Sequence, residues 1–169
     1  MAVSNPRDLL LQLLGEALYV ERRLAGGVLS ELIESVRDEQ LRAGLQDHLE
    51  QTRGHVDRAE TAFRRLEAAP SANLCRAFES ATAEHGDLAA QIVEPTLADI
   101  FHAQAALRTE HLELALYSAV LELAEVFGRS DAVEPLRESR REEEAARADL
   151  EAALRRLGEN ASGDAAQVA

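Results

Sequence analysis

Apolar residues recur at spacings of three and four along four long segments, which is the pattern of amphipathic helices. The first segment begins after Asn5, a residue type that caps helices, and Pro6, which suits a first helical turn. The others run from about Asp38 to Leu66, from about Thr96 to Phe127, and from Ser130 or Asp131 to Gly158. We predict that each segment forms one long helix with an apolar face.

The connections predict how these helices are arranged. Only a few residues separate the first helix from the second and the third from the fourth, so each pair forms an antiparallel hairpin. Residues 68–95 join the pairs and contain loop-forming residues around one short helix near Leu74 to Glu84. The predicted fold is all-α, a four-helix bundle over residues 1–158 with one long crossover carrying a short extra helix. Residues 159–169 are expected to form a disordered C-terminal tail.

Polar residues interrupt the apolar faces, or lie at their edges, near the middle of all four helices. These residues are Glu21, His55, Glu110 with Glu113, and Glu143. Counted from the predicted turns, they lie within about one helical turn of the same depth, since a turn rises ~5.4 Å. A carboxylate inside a bundle is unfavourable unless a proton, an opposite charge or a metal compensates it. We therefore predict one shared polar site within the bundle.

Composition narrows the partners of such a site. The chain has 18 basic and 31 acidic residues and a formal net charge of −13. This balance argues against nucleic acid as a partner, because phosphate binding needs a basic face, and it attracts cations. No apolar run approaches the ~18 residues of a membrane span, and no signal peptide is recognisable, so a cytoplasmic protein is expected.

Carboxylates and imidazole together suit iron or manganese, which accept oxygen and nitrogen ligands. Glu21, His55, Glu110, Glu113 and Glu143 are the candidate ligands. The alternative is that arginines neutralise the glutamates. Arg147 stands four residues after Glu143, a spacing that favours an ion pair on a helix.

Several separated segments carry a resemblance to a known family. They are LYVERRL (Leu18 to Leu24), HLEQTRGHVDR (His48 to Arg58), TEHLELALY (Thr109 to Tyr117) and LRESRREEEA (Leu136 to Ala145). The chain resembles the YciF-type ferritin-like family of bacterial stress-associated proteins. This resemblance implies a ferritin-like fold, a homodimer, and a site related to those of di-iron carboxylate proteins.

Two positions depart from the family pattern. Gln51 stands where relatives often have a carboxylate one turn before the histidine, and Arg147 stands where they often have Asp. Each change removes a ligand, and Arg147 adds a positive charge. The expected site is therefore a weakened or vestigial one, and metal is absent from it in the extreme case.

Two functions remain open. The first is a stress-associated ferritin-like protein that binds iron or manganese, with weak oxidase or peroxidase chemistry. The second is a non-enzymatic, dimeric helical interaction protein whose former metal site is held by Glu–Arg salt bridges. A cage for iron storage is disfavoured, because the family resemblance indicates dimers.

Other polar residues receive a structural interpretation. His48 is expected at the edge of the site, and His85 in solvent on the crossover. Glu142 is interpreted as an ordinary surface charge beside Glu143. Tyr19 lies two residues before Glu21, and Tyr117 lies one turn after Glu113, so both are expected near the site.

Overall fold

The computed structural model describes the backbone of residues 3–168 and the side chains of residues 3–163. The elements are α1 (Pro6–Arg23), a π-helical segment (Leu24–Val28), α2 (Leu29–Ser35), α3 (Glu39–Arg65), α4 (Arg76–Ala89), α5 (Pro95–Val126), α6 (Ser130–Val133) and α7 (Leu136–Val168). Residues 3–168 contain no strand, which confirms the predicted all-α class. Within this range, no helix has an apolar stretch long enough to cross a membrane.

Four long helices enclose the interior. α1 packs against α3 and α5, and α7 packs against the same two helices. The crossover between α3 and α5 contains α4, which packs on α5. The predicted bundle with one long crossover and one extra helix is confirmed.

The predicted helix ends are confirmed where a side chain or a glycine determines them. The Asn5 side chain accepts a hydrogen bond from the Asp8 amide and so caps α1, with Pro6 as its first residue. The Asp38 carboxylate accepts from the Leu41 amide in the same way at the start of α3. Gly128 follows α5 with a φ of 68°, a left-handed conformation that favours glycine and ends the helix.

Three predicted boundaries are wrong. α4 ends at Ala89 rather than Glu84, because Gly86 keeps a helical backbone. The last bundle helix starts at Leu136, since Pro135 lacks an amide donor and separates it from the short α6. It also continues past Gly158, which does not adopt the left-handed conformation that stops α5. Residues 159–168 are therefore helical; Ala169 lies outside the described residues, and disorder of the tail in solution stays a prediction.

A π-helical segment interrupts the first bundle helix directly after the depth of Glu21. Gly27 has a φ of 155° there, a value that residues with a side chain rarely adopt. A Cβ at Gly26 would meet no atom within 4 Å, so close helix packing does not require this glycine. The pair instead provides the backbone freedom that the π-helical segment requires. Such segments occur often beside functional sites.

The apolar interior consists of two clusters. The first includes Leu14, Phe63 and Leu136, and the second includes Leu24, Leu45 and Leu150. Along α7, Glu143 lies midway between Leu136 of the first cluster and Leu150 of the second. The candidate polar residues thus form a layer between two apolar clusters.

Candidate metal centre

The structure brings all five predicted site residues into one buried cluster, and it adds His48. Glu21 comes from α1, His48 and His55 from α3, Glu110 and Glu113 from α5, and Glu143 from α7. Each of these side chains is buried. Four helices therefore contribute four carboxylates and two imidazoles to a single layer.

The first group of ligand atoms belongs to Glu21, His55 and Glu143. His55 Nδ1 lies 2.7 Å from Glu143 Oε1 and 3.3 Å from Glu21 Oε2. Neither contact has hydrogen-bond geometry, because both oxygens lie off the direction in which the ring nitrogen would donate. These atoms converge without hydrogen-bonding to one another, which is the arrangement of ligand atoms around a common metal position.

The second group belongs to His48, Glu110, Glu113 and Glu143. His48 Nε2 lies 3.3 Å from Glu110 Oε1 and 3.9 Å from Glu143 Oε2. One ligand atom from each residue of a group lies within 4.8 Å of the others. Glu143 belongs to both groups, so it could serve as a ligand in each.

Buried ligand atoms without hydrogen-bond partners are concentrated in this layer. They are Glu21 Oε2, His48 Nδ1, His55 Nδ1, Glu110 Oε2, and both carboxylate oxygens of Glu113 and of Glu143. Leaving one buried polar group unpaired costs about 1–3 kcal/mol, and a buried charge costs more. Four carboxylates and two neutral imidazoles carry the charge that two divalent cations neutralise. By atom type, placement and charge, the residues fit a two-metal centre.

Protons compensate part of this charge when no metal does. Burial, followed by repulsion from Glu143, raises the pKa of Glu113 well above its ordinary value. Burial also raises the pKa of Glu110 well above its ordinary value, and contact with Glu143 adds to the rise. Burial raises the pKa of Glu21 as well, although the neighbouring His55 opposes this. These carboxyls therefore retain protons at pH values where exposed glutamates have lost theirs.

His55 is the positive counterpart of the metal-free layer. Burial alone would lower its pKa, but Glu143 and Glu21 raise the pKa of His55 to about 10. Burial alone would likewise raise the pKa of Glu143, yet contacts with His55 and Glu110 bring that pKa below its ordinary value. A protonated His55 beside an ionised Glu143 is the expected metal-free state at neutral pH.

An outer shell of contacts orients His55. Its Nε2 lies 2.9 Å from Glu142 Oε2, to which it donates when protonated. Arg58 donates to the same carboxylate and, through Nε, to the Ser139 hydroxyl at 2.9 Å. With Nε2 engaged by Glu142, Nδ1 is the nitrogen left for a metal. A carboxylate behind a histidine in this way fixes the ring and raises its basicity as a ligand.

Tyr117 orients the carboxylate on the opposite side. Its hydroxyl is fully buried and donates a hydrogen bond to Glu21 Oε1. Burial, with the negative charge of Glu21 as a second cause, raises the pKa of Tyr117 well above its ordinary value. Tyr117 therefore stays a neutral donor and leaves Glu21 Oε2 free.

Four expectations about nearby residues are wrong. His48 lies within the cluster and not at its edge, because it is two helical turns from His55 on the same face of α3. Glu142 is a half-buried partner of His55 and not a surface charge. Tyr19 points away from the site and donates to Glu79 Oε1 at 2.8 Å. His85 is partly buried on α4 rather than solvated.

The two residues that depart from the family pattern belong to neither group of ligand atoms, and the expected weakening of the site stays a prediction. Gln51 is exposed and lines a second cavity together with His48 and Glu110, whereas His48 is the second residue of α3 in the cluster. Arg147 pairs with Glu151 on the outside of α7, with 2.5 Å between Nη1 and Oε1. Among the described side chains, no arginine forms an ion pair with Glu143. The predicted Glu–Arg salt bridge within the site is therefore wrong.

Comparison with known proteins places the fold and the family. The model of a family described as a domain of unknown function, DUF892, matches residues 5–162. Protein YciF of Escherichia coli strain K12 is 26% identical over 149 residues, which cover 86% of this chain and 87% of that protein.

Two solved structures match with a TM-score of 0.85 each. The YcfI protein of Rhodopseudomonas palustris is 31% identical, and the match covers 88% of this chain and 94% of that one. The E. coli stress protein YciF is 24% identical over 93% of this chain and 99% of that one, which shows the ferritin-like fold alone. Because the family model spans nearly the whole chain, the protein belongs to the DUF892 family, and the predicted YciF-type resemblance is confirmed.

Proposed function

We propose that the protein is a YciF-like, stress-associated ferritin-like protein whose buried layer binds two divalent transition-metal ions, iron or manganese. The observation that carries the proposal is the convergence of unpaired ligand atoms from all four bundle helices. His48, Glu110 and Glu113 would hold one ion, Glu21 and His55 the other, and Glu143 both. Mixed carboxylate and imidazole ligands suit these metals.

Residues around the centre hold its ligand atoms in an orientation that suits metal binding. Glu142 keeps a proton at His55 Nε2, and Tyr117 keeps one directed at Glu21 Oε1. The apolar clusters on both sides limit access of water. Bound iron or manganese would supply one-electron redox chemistry, which is the basis for an oxidase or peroxidase activity in a stress protein.

Metal analysis of protein purified without chelators and supplemented with iron or manganese tests this function. The expected result is two ions per chain, one for each group of ligands. Anomalous scattering at the iron and manganese edges would then locate both ions beside Glu143. A metal content that stays well below one ion per chain after supplementation would contradict the proposal.

The homodimer is a separate proposal, which the family resemblance supports. Size-exclusion chromatography with light scattering measures it directly. A mass equal to that of one 18.4 kDa chain would contradict it.

A further inference from the structure

A cavity of about 270 Å³ leads from the crossover to the metal centre. Its walls come from the π-helical segment, α2, α4 and α5, and it reaches His48 and Glu110 of the centre. Most of its lining is apolar or small, including Leu29, Ala81 and Ala106. The cavity is therefore a route by which a small solute reaches the ligands of the second group.

Two histidines face each other on the wall of this cavity. His85 Nε2 of α4 and His102 Nδ1 of α5 share one proton in a hydrogen bond of 2.9 Å. A divalent ion that displaces this proton would meet two nitrogens at nearly the ~3 Å spacing of two ligands that bind one metal at right angles and at about 2.0–2.1 Å. The His85 ring stacks on Phe101, with 5.3 Å between ring centroids and 16° between planes, which holds its orientation.

The surroundings keep both imidazoles available as ligands. Burial lowers the pKa of His85 and, with Asp99 opposing it, that of His102. Both rings are therefore neutral at pH 7, which is the form that binds a metal. Arg108, the cationic side chain on the cavity wall, pairs with Glu84 at 2.9 Å, so its charge is compensated.

We propose that His85 and His102 form a metal-capture site, which binds a divalent transition-metal ion in the cavity before the ion reaches His48 and Glu110. This inference rests on the proposed function, because capture requires a centre to be filled. A pair of imidazoles with open positions binds more weakly than the carboxylate-rich centre. The captured ion is therefore released inward, where four carboxylates attract it.

The rate of metal loading tests the capture site. His85→Phe keeps the stacking on Phe101 but removes the ring nitrogens, and His102→Ala removes the partner. His111→Phe is the matched control, because His111 is an exposed histidine on the same helix as His102. In stopped-flow absorbance with Co²⁺, the two capture-site variants should load roughly tenfold more slowly than wild type. The control should load at the wild-type rate, and all variants should reach the same final two ions per chain.

A second readout detects the site directly. Zn²⁺ added beyond the two ions of the centre should shift the ring ¹⁵N resonances of His85 and His102 but leave those of His111 in place. Unchanged loading rates in both variants would overturn the capture site, whatever the final metal content. If the wild-type protein binds two ions and the variants load at the same rate, only the capture site is contradicted, and the proposed metal centre is retained. If the wild-type protein binds no metal, both the metal centre and the capture site are contradicted.

Discussion

At the scale of single residues, the site depends most on contacts behind the ligands. Glu143 contributes to both ligand groups, while His55 can use Nδ1 only because Glu142 engages Nε2. Glu142 and Glu143 are adjacent in sequence and differ by about 100° around the helix, so one faces the interior and the other its margin. Glu143 is therefore a candidate ligand, whereas Glu142 orients the His55 ring.

We expect Glu142→Ala to lower metal affinity about 10- to 100-fold, because the His55 ring loses the partner that orients it. Competition with a chromophoric chelator would measure the change. Glu144→Ala is the matched control, since Glu144 is exposed and pairs with Arg140 instead. Equal affinities for the two variants would show that Glu142 does not orient a ligand.

Metal binding should release protons. At pH 7 the metal-free protein holds a proton on His55, whose pKa is about 10, and the raised pKa values of Glu110 and Glu113 favour protons there too. Ligands must lose protons to bind a metal, so affinity should rise with pH. Isothermal titration calorimetry in two buffers of different ionisation enthalpy measures the release. Enthalpies that are the same in both buffers would contradict it.

At the scale of the elements, α3 contributes more to the centre than its sequence first indicates. Its two histidines lie on one face because seven residues span about two turns. Gln51 lies between them in sequence but is exposed. The helix therefore contributes two imidazoles to the cluster, where His55 alone was expected.

Replacing the two α3 residues separately tests which one matters. His48→Ala should reduce the metal content from two ions to one, because the second ligand group loses its imidazole. Gln51→Ala should keep both ions. Inductively coupled plasma mass spectrometry of the reconstituted variants distinguishes these outcomes, and a loss confined to the Gln51 variant would show that Gln51, and not His48, is the second ligand of α3.

Periodicity was enough to predict the four long helices, their hairpins and the five interior polar residues. It identified Glu21 and Glu143 most clearly, because both lie at the centre of an apolar stripe. The seven-residue spacing of His48 from His55 is a further signal of a shared helix face, which the apolar stripe alone does not show. The π-helical segment and the helical state of Gly158 depend on local backbone conformation, which a hydrophobic pattern does not encode. Side-chain directions beyond the stripe, such as that of Tyr19, depend on tertiary partners.

At the scale of the whole molecule, the buried layer lowers the stability of the metal-free protein, and on the proposed function metal binding offsets this cost. Both carboxylate oxygens of Glu113 are buried without hydrogen-bond partners. A bound ion adds stability by mass action, about 4 kcal/mol at a thousand times its Kd. We therefore expect the protein to be less stable without metal than with it.

Glu113→Met should raise the free energy of unfolding of the metal-free protein by about 1–3 kcal/mol, because an unpaired buried carboxyl is removed while the shape is nearly kept. The same variant should lose most of the increase in Tm that metal produces in wild type. Glu122→Met, an exposed glutamate on the same helix, should change neither quantity. Chemical denaturation and thermal melting, each with and without Mn²⁺, measure both effects. A metal-free Glu113 variant less stable than wild type would contradict this account.

The position of the polar layer between two apolar clusters also governs how the helices align along the bundle axis. Leucine-rich faces alone would pack almost equally well after one helix slides by a turn, ~5.4 Å. Such a slide would move a carboxylate among the leucines of either cluster and separate it from its partners, at considerable cost. The layer therefore selects a single longitudinal alignment even before any metal binds. A bundle with leucine at all six positions would gain stability and lose that uniqueness.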